Sequence, residues 1–198
     1  MGKKRPPWHE DALAAVQTLR KGGVISHSTD TVWGLASDAT SDAGVRRIFN
    51  IKERSLSETL LMLVDSEQEL ERLLPNLPEA AWELLEVSNR PVTLVGTMGS
   101  KVQHSFAPGM VRDDGSIAVR LVSDPYLSFI IQGIGAPLAS TSANLATHPT
   151  PMTFAEVHEQ ITATVDFNAR FRREELNSNQ SSILIQFDDA GRMSILRS

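Results

Sequence analysis

The alternation of strand-like and helix-like segments predicts a layered fold, α/β or α+β, built on a mixed sheet flanked by helices. Two observations carry this. Short apolar runs of strand length alternate with amphipathic helical stretches, and some strands follow one another directly. One run, Leu60 to Val64, is apolar without alternation, as in a strand covered on both faces.

The elements follow in order. Asp11 to Arg20 carries Leu13, Val16 and Leu19 at three-residue spacing, a helix stopped by Gly22-Gly23. Val24 to His27 reads as a strand, then a polar turn Ser28-Thr29-Asp30-Thr31, then Val32-Trp33-Gly34-Leu35. Thr40-Ser41-Asp42 caps a helix with Val45, Ile48 and Phe49 on one stripe. After the Leu60–Val64 strand, Ser66 to Leu74 and Glu79 to Val87 are helical, the second with Ala81, Leu84 and Leu85 inward. Pro91 to Gly96 is a strand, and Ser116 to Val122 another, entered from the Asp113-Asp114-Gly115 turn. Asp124 to Gln132 reads as a helix, Pro137 to Thr141 as a strand ending at Ser142-Ala143-Asn144, and Thr153 to Gln160 as a helix. Ser182 to Phe187 and Met193 to Leu196 form a hairpin around Asp188-Asp189-Ala190-Gly191.

Composition bounds the function. The chain has 198 residues, no cysteine, and a net charge of −5. One domain over 1–198 is expected. The absent thiols exclude disulfides, thiolate nucleophiles and cysteine-held metals. The acidic balance argues against coating nucleic acid, though cations gathered in one cleft remain compatible with a phosphorylated ligand. No apolar run reaches the roughly 18–20 residues of a membrane span, and the basic start Met1 to Pro7 lacks the apolar core of a signal peptide. A cytoplasmic setting is expected.

Three polar clusters sit near element ends, where open sheets build ligand crevices. In Lys52-Glu53-Arg54, two cations one residue apart converge on a polyphosphate if the backbone turns there; a solvated helix end is the competing reading. In Ser140-Thr141-Ser142-Ala143-Asn144, Ser142 and Asn144 either face one ligand or tie a turn. In Ser116-Ile117-Ala118-Val119-Arg120, alternation puts Ser116, Ala118 and Arg120 on one face, and Arg120 there meets either an anionic ligand or a structural acid. There is no GxxxxGK[ST] loop, no GxGxxG after a strand, no GxSxG elbow and no HExxH, and His9, His27, His104, His148 and His158 are scattered. His158 is expected on a helix face and His148 in a loop, neither as a ligand.

Taken together, these pieces resemble the YrdC-like family of threonylcarbamoyl-adenylate synthases of tRNA modification. The resemblance is carried by Gly22-Gly23-Val24-Ile25 leading to Ser28-Thr29-Asp30-Thr31-Val32-Trp33-Gly34-Leu35, by Lys52-x-Arg54, and by Arg90-Pro91-Val92-Thr93-Leu94-Val95. It continues through Ser116 to Arg120, Ser140 to Leu145, and Ile195-Leu196-Arg197. It implies a twisted open sheet with a large concave cleft, and no room here for the extra C-terminal domain of longer relatives. It implies a reaction in which L-threonine, bicarbonate and ATP, with Mg²⁺ on the triphosphate, give threonylcarbamoyl-adenylate and pyrophosphate. A separate tRNA transferase would take the product, with any weak RNA binding confined to the cleft.

By matching position, the resemblance implies that Lys52 and Arg54 are triphosphate ligands carrying the catalysis. It places Glu58, Ser116, Ser142, Asn144, Thr150 and Arg197 on the ATP side. Arg120 is the clamp on the threonine carboxylate, with Thr31, Ser140 and Ser181 nearby. The chain departs from the family at His27-Ser28-Thr29, where Tyr-Pro-Thr is usual, at Glu58, where Lys or Asn is frequent, at Leu63, where some relatives are polar, and at Ala146-Thr147, where Ser-Gly is usual. Two other readings stand beside the synthase. One is a diverged relative that binds nucleotide or RNA without the chemistry. The other is a carbamoyl-adenylate former of hydrogenase maturation, whose zinc-finger and acylphosphatase modules do not fit in this length.

Overall fold

The computed structural model describes residues 4–53, 55, 58–145, 148–175, 181–188 and 191–197. The first half holds α1 (His9–Leu19), β1 (Ile25–Ser28), β2 (Trp33–Asp38), α2 (Asp42–Lys52), β3 (Leu61–Val64), α3 (Glu67–Leu73) and α4 (Glu79–Val87). The second holds β4 (Val92–Thr97), β5 (Ser116–Leu121), α5 (Pro125–Ile134), β6 (Leu138–Ser142), α6 (Glu159–Thr164), β7 (Phe167–Asn168), β8 (Ile183–Phe187) and β9 (Met193–Arg197).

Local chemistry sets the helix starts. Ser41 and Ser66 each accept a hydrogen bond from the backbone N–H three residues on, both at 3.2 Å. Asp124 accepts from Tyr126 N at 2.8 Å, with Pro125 in the first turn. Gly135, at φ +73°, ends α5 in the left-handed region that L side chains avoid.

The nine strands form one mixed sheet, in the order β7-β1-β2-β6-β3-β5-β4-β8-β9. The β3–β5, β4–β8 and β1–β7 pairs are parallel and the other five antiparallel. The face carrying Met62, Val64, Ile117, Val119 and Ala139 is fully buried. Helix α5 contacts β3, α3 contacts β5, and α1 packs on α5. This mixed open sheet with flanking helices is the predicted architecture.

Two expectations are corrected. Thr153 to Gln160 is not one helix: a single 3-10 turn, Phe154–Glu156, is followed by extended Val157 and only then α6. Val157 is buried, and its extended backbone carries it into the core. His158 therefore lies on no helix face; it is the N-cap of α6, its Nδ1 accepting from Gln160 N at 3.2 Å. In α4, Ala81 is buried and the half-buried Leu84 and Leu85 pack against the core, as expected. The two-residue strand β7 had no counterpart in the sequence reading.

Candidate active site

The cleft is built on the sheet face opposite to the fully buried one, across β2, β6, β3 and β5. Strand register brings its floor together: Gly34 pairs with Ser142, Ser140 with both Ala36 and Leu61, Leu61 with Ala118, and Leu63 with Arg120. Gly34, Ala118 and Ser140 are small and leave room above the sheet. The resulting cleft has about 160 Å³ of cavity volume. At Gly34 a Cβ would stand 3.2 Å from both His27 Nε2 and Thr141 O, tighter than ordinary van der Waals contact. The His27 ring takes that space and is fully buried.

Six residues assigned from the sequence line this cleft: Thr31, Arg120, Ser140, Ser142, Ser181 and Arg197. They come from a turn, two central strands and the chain's last described segments. Arg120 is 4% exposed. Its Nη1 donates to Thr31 Oγ1 at 3.1 Å, and its Nη2 to the Asp30 carboxylate. Arg120 thus meets the acid Asp30 at the cleft wall and also lines the cleft. Thr29 Oγ1 shares a hydrogen bond with Thr31 Oγ1 at 2.7 Å and donates to Val32 O at 2.7 Å, which fixes the turn.

Lys52 is no solvated helix end. It is fully buried at the last position of α2, and its ammonium donates to Ser142 O at 2.7 Å, Asn144 O at 2.5 Å and Asn144 Oδ1 at 3.0 Å. Asn144 Oδ1 also accepts from Ser142 Oγ at 2.5 Å, while Asn144 Nδ2 donates to Leu145 O and His148 O. So Asn144 ties the turn, Ser142 lines the cleft with its hydroxyl held on Asn144 Oδ1, and Lys52 braces both. A direct Lys52 contact with phosphate would require one of these bonds to be exchanged.

Ser116 is buried beside the cleft, its Oγ accepting from Arg112 Nη1 at 3.3 Å. Hydrogen bonds from Ser116 hold the neighbouring Asp114 carboxyl below its usual range. Glu58 is exposed, with its N–H on Ser55 O, and Thr150 is half-buried; neither is among the cleft-lining residues. Arg54 lies outside the described residues. Arg197 Nη2 approaches Ser182 O at 3.4 Å, while Ser182 Oγ and Thr93 Oγ1 are 2.7 Å apart.

The sequence reading did not assign Arg112, Thr59, Asp30, Thr29 or Ser182. Thr29 and Asp30 stood in the polar turn it noticed, so position was a usable signal for them. Arg112 sits before a turn and shares no alternation with Arg120, so only the three-dimensional structure brings it to the cleft. His27 has the most perturbed titration here: burial pushes it down to about 4, despite its hydrogen bond to Ser28 O. With Nδ1 donating to that carbonyl at 3.1 Å, Nε2 is a bare acceptor with no hydrogen-bond partner.

Fold and site together define an open α/β sheet protein whose cleft, rich in hydroxyls and guanidinium groups, is suited to small anionic ligands. The Sua5/YciO/YrdC family, described as telomere recombination, matches residues 17–198. The chain belongs to this family. It is 32% identical over 131 residues to the threonylcarbamoyl-AMP synthase of Saccharophagus degradans, aligning 65% of this chain with 66% of that protein. It is 32% identical over 164 residues to that of Xanthomonas euvesicatoria, aligning 79% of this chain with 83% of that one. The crystal structure of P. abyssi Sua5 complexed with L-threonine superposes with a TM-score of 0.80 at 26% identity, covering 98% of this chain. This chain spans just under two thirds of the S. degradans synthase and 55% of P. abyssi Sua5. E. coli YciO shares the fold, with a TM-score of 0.78 at 20% identity. Among the described residues no helix is long and apolar enough to cross a membrane.

Proposed function

We propose that this chain is an L-threonylcarbamoyladenylate synthase, a nucleotidyltransferase that feeds a separate transferase acting on tRNA adenosine in the cytoplasm. The observation that supports it most is the meeting of Arg120, Thr31, Ser140, Ser181, Ser142 and Arg197 on one cleft, although they lie up to 166 positions apart (197 − 31). Relatives about 30% identical carry the synthase name, and a Sua5 of like fold is complexed with L-threonine.

The chemistry suits that residue set. The threonine amine adds to the bicarbonate carbon, and loss of water leaves a carbamate. A carbamate oxygen attacks the α-phosphorus of ATP, the α–β phosphoanhydride bond breaks, and pyrophosphate departs. Such a transfer needs in-line positioning and charge neutralisation more than a covalent nucleophile. Arg120 takes the threonine carboxylate, with Thr31, Ser140 and Ser181 around it. Ser116, Ser142 and Arg197 hold the nucleotide, with Asn144 and Lys52 keeping Ser142 in place. Arg54, Glu58 and Thr150 complete the nucleotide side, and Mg²⁺ arrives on the triphosphate. Any RNA contact is confined to the cleft.

The test is pyrophosphate release from MgATP with threonine and bicarbonate each supplied or omitted. Release that needs both supports the synthase. Bound ATP without release favours the second reading, a nucleotide-binding relative.

A further inference from the structure

We propose that Arg112 binds the phosphate chain of the nucleotide, which deepens the synthase reading and rests on it. Arg112 sits in the turn that enters β5. Its N–H donates to Ser116 O at 2.9 Å and its carbonyl accepts from Gly115 N at 2.9 Å. Gly115 closes this turn at φ +78°. The Arg112 backbone is therefore fixed relative to the strand that carries Ser116 and Arg120.

The side chain lines the cleft, with Nε donating to Thr59 Oγ1 at 3.1 Å and Nη1 to Ser116 Oγ at 3.3 Å. Its charge is handled unlike that of Arg120, Arg72 and Arg172. Arg120 meets Asp30, Arg72 meets Glu69 and Arg172 meets Asp124. Among the described residues no carboxylate stands within ion-pair distance of Arg112. Asp114, two residues on, gives its Oδ1 to the Ser116 N–H at 2.9 Å.

Two neutral hydroxyls thus fix the guanidinium, and Asp114 acts on it only from beyond ion-pair distance. Of its five N–H donors, three remain, including both on Nη2, and that planar fork matches phosphate oxygens. The hydroxyls come from Thr59 and from Ser116, a residue of the nucleotide side, whereas the carboxylate clamp Arg120 is held by Asp30 and Thr31. That separation assigns Arg112 to the polyphosphate and not to the amino acid. Arg197 is the second cation lining the cleft without an ion pair to any described residue.

Calorimetric titration of the whole chain and of Arg112→Gln and Arg112→Lys, with MgATP, inorganic tripolyphosphate and L-threonine as probes, tests this. Loss of a charge-assisted hydrogen bond predicts about ten- to hundred-fold weaker binding of MgATP and tripolyphosphate by Arg112→Gln. Threonine affinity stays within about two-fold, and Arg112→Lys recovers part of the loss. Wild-type affinity for both phosphate probes in Arg112→Gln overturns the proposal. So does an equal loss for threonine together with a lowered Tm, which makes Arg112 a strut between Thr59 and Ser116. Wild-type protein that binds neither phosphate probe overturns the synthase reading itself.

Discussion

Arg120 and Asp30 form an unequal pair: the arginine side chain is 5% exposed, the aspartate 51%. Removing the acid strands a buried cation, a change that costs about 3–5 kcal/mol where no other anion answers it. Asp30→Asn is therefore expected to lower Tm, and L-threonine to raise it again by offering Arg120 a second carboxylate. A Tm of this variant that threonine does not move contradicts the carboxylate assignment. Steady-state kinetics supply a companion check. Arg120→Ala is expected to raise the KM for threonine well beyond that for ATP, and equal effects would put Arg120 elsewhere in the mechanism. Burial of His27 is expected to make stability depend on pH on the acid side. Its folded pKa of about 4 lies below the ordinary 6.5, so between these values the unfolded chain binds a proton that the folded chain refuses. Stability is fully present above about pH 6.5 and is lost as pH falls towards 4, by up to about 3 kcal/mol. His27→Gln should flatten this part of a Tm-against-pH curve; an unchanged slope would mean that another group titrates. At this scale the sequence showed which polar residues stood out, such as Arg120 and Ser142, but not their partners. Asp30 lay in plain view in a turn, yet its pairing with Arg120 joins positions 90 residues apart.

Elements were legible where their signals are local. Caps at Ser41, Ser66 and Asp124 and an apolar stripe fix a helix start within a residue or two, whatever the rest of the chain does. The split of Thr153–Gln160 was not legible, because burial of Val157 overrides helical propensity only once a core exists to receive it. Nor was β7, two residues long, whose strand character comes wholly from pairing with Ile25 and Ser26. Asp124 offers the sharpest test of element-level reasoning. It caps α5 and also receives Arg172, and its side chain is 6% exposed. Asp124→Ala is expected to cost about 2–3 kcal/mol in urea unfolding, combining a lost cap with a weakened ion pair. Asp124→Asn keeps the cap acceptor and should cost distinctly less. Equal losses would mean that the cap contributes little.

At the scale of the molecule, the fold class followed from counting elements, but the strand order did not. Nothing in the chain's local pattern says that β6 lies between β2 and β3, yet that placement sets Ser140 opposite Ala36 and Leu61 and makes the cleft floor. The motif resemblance reached further than local pattern, because it named residues that the sheet then gathers. It left out Arg112, which reaches the cleft through a turn and a hydroxyl contact with Thr59. A cleft assembled this way has one central claim attached to it: the carbon of bicarbonate joins threonine to the α-phosphate of ATP. The most direct measurement is mass spectrometry of the nucleotide product formed with ¹³C-bicarbonate, L-threonine and MgATP. The account predicts a threonylcarbamoyl-AMP ion heavier by one mass unit than that from unlabelled bicarbonate, and none when threonine is omitted. Only ATP, AMP or ADP, with no labelled adenylate, would contradict it.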